Sequence, residues 1–396
     1  MSMPVKVLIV DDSGFFRNRI ADLLGSDARI SVVGTASNGR EAIEQVKLLR
    51  PDVVTMDVEM PEMNGIDALR QIMKLSPVHV IMLSSVTHEG ARISMKALEA
   101  GAADCIPKDL REWMGNSSAI KNQLCDQVVA LGKSRRPRVH TSQSSSDKPR
   151  SSIRPNPTRH ETAVAVPSTV SDRSTSTVSS LRQRGEANAA VRVEPSPRRS
   201  GTVQRFPDCR VVVIGSSTGG PAALQKILTC LPAAFPYPIL LVQHMPKTFT
   251  PVFAERLNQQ CNITVKEATD GDRLVAGTAL LAPGGHQLII DPRQNDRVKV
   301  MPGDERLTYK PSVDISYGSA AKCFGDKVLA VILTGMGSDG TDGARLLKRS
   351  GAKVWAQDEN SSTIYGMPKS VIEADLADAV LDLDEIGTLL SKQGER

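Results

Sequence analysis

The run Arg210-Val-Val-Val-Ile214 is β-branched and apolar, and it ends in Gly215-Ser216-Ser217-Thr218-Gly219-Gly220-Pro221. The spacing Gly-x-Ser-x-Gly between a strand and a helix lifts a serine hydroxyl above a sheet, beside free N–H groups. That setting suits Ser217 as a nucleophile. It also suits a phosphate-binding loop, or a tight turn and nothing more. A serine nucleophile needs a base and a group that orients the base. After residue 206 the chain has two histidines, His244 and His286. His244 directly follows the apolar run Ile239–Gln243, whereas His286 sits in the turn Ala282-Pro-Gly-Gly-His286. Position therefore favours His244. Asp339 lies in the Gly-rich turn Leu333-Thr-Gly-Met-Gly-Ser-Asp339-Gly340, again after an apolar run. Its rival Asp342 reads more simply as an acidic residue in a first helical turn.

A second constellation lies near the N-terminus. Asp11, Asp12, Asp57, Ser84 and Lys108 each fall at the carboxyl end of a short apolar run. Three clustered carboxylates repel one another unless a cation sits among them, and oxygen ligands of this kind suit Mg²⁺. Lys108 adds a positive charge and Ser84 a hydroxyl. The set forms a pocket for an incoming phosphoryl group, with Asp57 as acceptor.

These residues need a scaffold. Residues 5–10, 31–36, 52–56, 79–83 and 103–106 read as strands. A helical pattern with Phe16, Ile20, Leu23 and Leu24 on one face follows the first, a helix capped by Asn38 and Glu41 runs through Leu49, and others lie near 64–75, 88–100 and 110–131. Alternation of this kind predicts a doubly wound, flavodoxin-like five-stranded parallel sheet, with its ligand site at the strand carboxyl ends. From residue 207 a second α/β pattern begins. It predicts a Rossmann-like domain with strands near 210–214, 239–243, 263–266, 279–282, 287–290, 298–300, 329–333 and 353–356. The stretch 263–310 is rich in strands and turns, which makes part of that sheet mixed. Between the two, residues 133–206 carry 15 Lys/Arg against 5 Asp/Glu and much Ser, Thr and Pro. Without an apolar period such a segment cannot offset its chain entropy, so it reads as a disordered linker. The predicted organisation is thus 1–132, a linker over 133–206, and 207–396.

The formal net charge of +5 belongs to that linker, and the folded parts are acidic. This argues against a folded nucleic-acid surface. No apolar run approaches the ~18 residues of a membrane span, and the N-terminus enters a strand without a signal peptide. Six scattered cysteines with no Cys-x-x-Cys pair point to reduced thiols, a cytoplasmic setting and no zinc site.

Two resemblances sharpen the reading. Residues 5–125 resemble a response-regulator receiver through Asp11-Asp12-Ser13, Asp57 followed by Met60-Pro61-x-Met63-Asn64-Gly65, Leu83-Ser84-Ser85, and Lys108. The resemblance implies phosphorylation of Asp57 by a histidine kinase, with Mg²⁺ held by Asp11, Asp12 and Asp57. Two departures stand out: Pro107 precedes the lysine and Asp109 follows it, and Cys105 replaces the usual aromatic switch residue. Residues 207–393 resemble the catalytic domain of the chemotaxis protein-glutamate methylesterases, the CheB family. The shared words are Gly215–Gly220, Gln243-His-Met-Pro246, Ala268-Thr-Asp-Gly-Asp272, Ala282–His286, Pro311-Ser-Val-Asp314 and Leu333–Gly337. The order Ser, His, Asp fits this family and departs from the α/β-hydrolases, in which the histidine comes last.

The second resemblance implies Ser217 as nucleophile, His244 as base and Asp339 as its partner. It implies an oxyanion donor at the Met336 N–H, Thr218 lining the pocket, and His286 shaping it. It also implies methyl-accepting chemoreceptors as substrates, deamidation of glutamine as a second reaction, and no cofactor for the esterase step. An unphosphorylated receiver is expected to cover the site. Two other classes fit parts of the chain. A receiver-controlled nucleotide-binding effector would use Gly215–Gly220 as a phosphate loop, but the partner motifs of such loops are missing. A receiver-controlled transcriptional regulator would need a helix-turn-helix after 206, and no such pattern appears.

Overall fold

Short apolar runs and amphipathic stretches alternate, and each becomes a strand or a helix. The computed structural model describes residues 3–109, 113, 118–137, 206–304 and 306–395. The first sheet holds β1 (Val5–Val10), β2 (Ile30–Ala36), β3 (Val53–Asp57), β4 (His79–Ser84) and β5 (Asp104–Pro107). Around it lie α1 (Gly14–Gly25), α2 (Gly39–Leu49), α3 (Gly65–Leu75), α4 (His88–Glu99) and α5 (Ser118–Lys133). The strands pair in parallel in the order β2-β1-β3-β4-β5. Every residue of β3 and β4 is buried, as expected for strands covered by helices on both faces. The order reverses between β1 and β3, which opens a crevice at their carboxyl ends. Asn38 caps α2 by accepting from Glu41 N at 3.0 Å. The returning Glu41 carboxylate reaches Ser37 N rather than Asn38 N, so the box closes one residue early.

The second sheet has seven strands. They are β6 (Val211–Ser216), β7 (Ile239–Gln243), β8 (Thr264–Glu267), β9 (Thr278–Leu281), β12 (Val328–Ile332), β13 (Lys353–Gln357) and β14 (Ala379–Leu381). Their order is β14-β13-β12-β6-β7-β9-β8, all parallel. The antiparallel part of this domain is a separate ribbon of β10 (His286–Ile290) and β11 (Val298–Pro302). The helices are α6 (Gly220–Leu228), α7 (Thr250–Gln260), α8 (Val313–Phe324), α9 (Thr341–Arg349), α10 (Met367–Glu373) and α11 (Leu383–Ser391). Neither β14 nor α11 is among the elements expected above, although Asp382 and Glu385 mark the start of α11. β14 is a three-residue edge strand with Val380 exposed, too short to show alternation. Here the switch point lies between β6 and β12, and the loops after both carry the residues of interest.

The two folds pack as one compact unit. Ile364 and Met336 of the second join the apolar cluster of the first that contains Trp113 and Ile106. Most of the predicted linker, residues 138–205, lies outside the described residues. Among the described residues no helix is long and apolar enough to cross a membrane.

Candidate functional site

Strand β6 delivers two adjacent serines, and the fold separates them. Ser216 is fully buried and its hydroxyl donates to Gln243 Oε1 at 2.7 Å. Ser217 is half-buried and lines a cleft with Thr218, His244, Met245, Tyr309 and Met336. The turn around it is tight. Gly219 holds φ +78°, a left-handed conformation that glycine adopts without strain. A Cβ on Gly335 would come within 2.7 Å of Ser217 Cβ, so only glycine lets the loop after β12 approach so closely. Gln243 ties the parts together: its Nε2 donates to Ser217 O at 3.0 Å and to His244 O at 2.9 Å.

His244 follows β7, as its sequence position indicates. Its Nε2 lies 2.7 Å from Asp339 Oδ2, and its ring stacks on Tyr309 with centroids 4.1 Å apart and planes 8° from parallel. Asp339 is 6% exposed, yet it is well supplied with donors. Ser312 Oγ (2.9 Å), Val313 N (2.7 Å) and Asp314 N (3.0 Å), at the start of α8, all point at it. Burial alone would push this carboxyl up; the His244 bond and these N–H groups instead hold it at about 2. An ionised Asp339 only accepts, so His244 Nε2 carries a proton, and in the neutral imidazole the lone pair is on Nδ1. Nδ1 is buried with no partner among the described residues. Ser217 Oγ likewise makes no hydrogen bond among them, so the serine and imidazole share the cleft without being engaged.

The loop after β12 brings in Met336. Gly335 N donates to Ile364 O, and Gly366 N and Met367 N donate to Gly335 O. None of these bonds engages the Met336 N–H. Asp342 is exposed and pairs at 3.8 Å with Arg345, which fits the first-turn reading. His286 opens β10 with its Nδ1 near Gly284 O at 3.2 Å, outside the cleft.

The other predicted site is also assembled. Asp11, Asp12 and Asp57 offer carboxylate oxygens that all lie within 4.8 Å of one another. Lys108 Nζ sits 2.8 Å from Asp11 Oδ2 and 3.0 Å from Asp57 Oδ2, so Pro107 before it does not divert the side chain. Burial, with the Asp11 charge, pushes the Asp57 carboxyl up to about 6 although Lys108 opposes it. A small hard cation relieves such crowding, and the all-oxygen donor set fits Mg²⁺. Ser84 lines this cleft, but its hydroxyl is 2.7 Å from Ser94 Oγ. Ser94 O in turn receives the Cys105 thiol at 3.5 Å.

The residue next to Cys105 was not singled out from sequence. Asp104 Oδ2 accepts the Thr218 hydroxyl at 2.6 Å and the Gln127 amide at 3.0 Å. Burial pushes the Asp104 carboxyl up, opposed by the Thr218 hydroxyl and the Cys105 N–H. Gly219 N also donates to Ala103 O at 3.2 Å. Ion pairs Arg256–Glu99 and Arg92–Glu255 join α7 to α4 beside this contact. The first fold therefore sits on the Ser217 loop. Asp104, Gln127 and Tyr309 carry no local motif; Ser312 and Asp314 fall in the word Pro311-Ser-Val-Asp314, and Ser312 also reads as a helix N-cap.

Residues 7–113 match the family described as response regulator receiver domain, and residues 212–390 match CheB methylesterase. With the two folds above, this defines the class: a response regulator whose output domain is an esterase. The chain is 51% identical, over 97% of its length and 98% of theirs, to two Pseudomonas proteins. One is protein-glutamate methylesterase/protein-glutamine glutaminase 2 of P. savastanoi pv. phaseolicola, the other the corresponding enzyme 1 of P. aeruginosa. The chain belongs to the CheB methylesterase family. Among solved structures it is similar to the Thermotoga maritima CheB catalytic domain, at 44% identity over 46% of this chain and 98% of that one, with TM-score 0.45.

Proposed function

We propose that Ser217 is the nucleophile of a hydrolysis that removes methyl esters from glutamates of methyl-accepting chemoreceptors. Its hydroxyl adds to the γ-carbonyl carbon while His244 Nδ1 takes the proton. The Met336 N–H holds the oxyanion, with the Thr218 hydroxyl as a second donor once it leaves Asp104. Asp339 steadies the imidazolium through Nε2. Collapse breaks the ester C–O bond and His244 returns the proton to departing methanol. Water then repeats the sequence and frees the glutamate. A glutaminyl side chain follows the same course and releases ammonia. The observation that carries this reading is the His244–Asp339 bond, which leaves Nδ1 as an unpaired base in the cleft of Ser217.

Asp57 is the proposed phosphoryl acceptor, served by a chemotaxis histidine kinase: a P–O bond forms at its carboxylate as the kinase P–N bond breaks. Asp11, Asp12 and Asp57 would hold Mg²⁺, which offsets the phosphoryl charge, and Lys108 adds its own. The Asp104–Thr218 bond supports a receiver that covers the esterase site before phosphorylation. Methanol release from methyl-labelled receptor membranes tests the assignment. Ser217→Ala is expected to abolish it, and Ser216→Ala to retain it; the reverse result moves the nucleophile by one residue.

A further inference from the structure

Helix α5 turns one polar face to the Ser217 cleft, through Asn122, Gln123, Asp126 and Gln127. Gln127 reaches furthest in. It is 6% exposed, and its Nε2 is 3.0 Å from Asp104 Oδ2 and 3.4 Å from Thr218 Oγ1. Its carbonyl oxygen is buried with no hydrogen-bond partner among the described residues. A residue that served only to fill space would be better as Met or Leu, since an unpaired buried amide oxygen is costly. The group it brings to the cleft is a γ-carboxamide on a helix, the same group that the proposed deamidation consumes. We infer that Gln127 is a pseudosubstrate: the receiver fills the glutamyl side-chain position of the cleft with a carboxamide of its own. The inference rests on Ser217 being the nucleophile.

The orientation explains why Gln127 is held rather than hydrolysed. Asp104 accepts from the Gln127 NH₂ group, which turns the amide nitrogen, and not its oxygen, toward Thr218. The carbonyl is then not polarised by Thr218, the second of the proposed oxyanion donors, and attack at its carbon is not assisted from that side. Occupancy by mimicry has a kinetic signature that distortion of the site lacks. Gln127 and the receptor side chain compete for one position. Removing the carboxamide therefore lowers the receptor concentration needed for half-saturation and leaves the saturating rate alone.

The test uses the full-length chain without phosphodonor. Methanol release is followed across receptor concentration for the wild type, Gln127→Met and Gln127→Ala. Methionine keeps the length and bulk but carries no carboxamide. Both variants are expected to reach half-saturation at about tenfold lower receptor, the effect of one hydrogen bond to a carboxylate, with an unchanged saturating rate. Lys133→Ala, at the exposed end of α5 and outside the cleft, is expected to change neither parameter. A Met variant that keeps the wild-type half-saturating concentration overturns mimicry and makes α5 a plain lid. A higher saturating rate at unchanged half-saturation overturns it too. Ser217→Ala run alongside separates the two readings. If it still releases methanol, the nucleophile assignment has failed; if it does not, the Gln127 result stands on its own.

Discussion

Ser216 and Ser217 are neighbours in one motif, and burial gives them different work. The Ser216 hydroxyl is spent on Gln243, so Ser216→Ala is expected to lower stability by about 1 kcal/mol in a urea melt and to leave turnover largely intact. Asp339 works through charge. Held at about 2, below its ordinary 3.8, it adds stability that is present above about pH 4 and lost as the pH falls toward 2. Asp339→Asn keeps the shape but removes the anion that fixes the His244 tautomer. Its methanol release is expected to fall by about 10⁴-fold, the loss expected if Asp339 is the acid of the proposed triad. Near-normal release by this variant would show that His244 needs no anionic partner.

At the scale of elements, two helices cap each other. Asp339, on the loop before α9, accepts N–H groups at the start of α8; Asp314, in the first turn of α8, accepts from Gly340 N (2.9 Å) and Gly343 N (2.7 Å) of α9. The exchange locks the loop that presents Asp339. It also sets two carboxylates close together. Burial, together with the Asp339 charge, pushes the Asp314 carboxyl from 3.8 up to about 6. A folded value above the unfolded one adds stability that is complete below about pH 4 and is lost as the pH rises through about 6. Thermal melts of Asp314→Asn should show this. Relative to the wild type, the variant is expected to gain up to about 2 kcal/mol between about pH 4 and pH 7.5, less where solvent screens the pair. A constant difference across that range would mean that Asp314 does not titrate there.

The same scale shows what a sequence can reveal. Ser217, His244, Asp339, Asp57 and Lys108 were legible because each lies at the end of an apolar run or in the turn after it, and a parallel sheet brings all strand carboxyl ends to one edge. The parallel order of β8 and β9 and the short β14 were not, because pairing depends on partners far along the chain. Asp104, Gln127 and Tyr309 were missed for the same reason. Nothing in their local sequence marks a contact made with the other fold or across a cleft.

For the whole molecule, the question is how firmly the receiver stays on the esterase. The sequence predicts a linker of over 70 residues, 133–206. Each doubling of a flexible connection costs about 0.6 kcal/mol in closure, so a linker of the predicted kind, ~80 residues against ~10, is expected to disfavour the covered state by about 1.8 kcal/mol. The contacts at Thr218, Gly219 and Arg256 offset that loss. Replacing residues 140–200 by a dozen flexible residues is expected to lower the basal methanol release severalfold and leave the phosphorylated rate unchanged. An unaltered basal rate would mean that the linker does not set the balance.

The central claim is a serine esterase whose site opens when Asp57 is phosphorylated. It is tested most directly by methanol release from methyl-labelled receptor membranes, with and without a small phosphodonor and Mg²⁺. The wild type is expected to accelerate with phosphodonor, Asp57→Asn to stay at its low basal rate, and Ser217→Ala to release nothing in either condition. Acceleration that persists in Asp57→Asn, or turnover that persists in Ser217→Ala, would contradict the account.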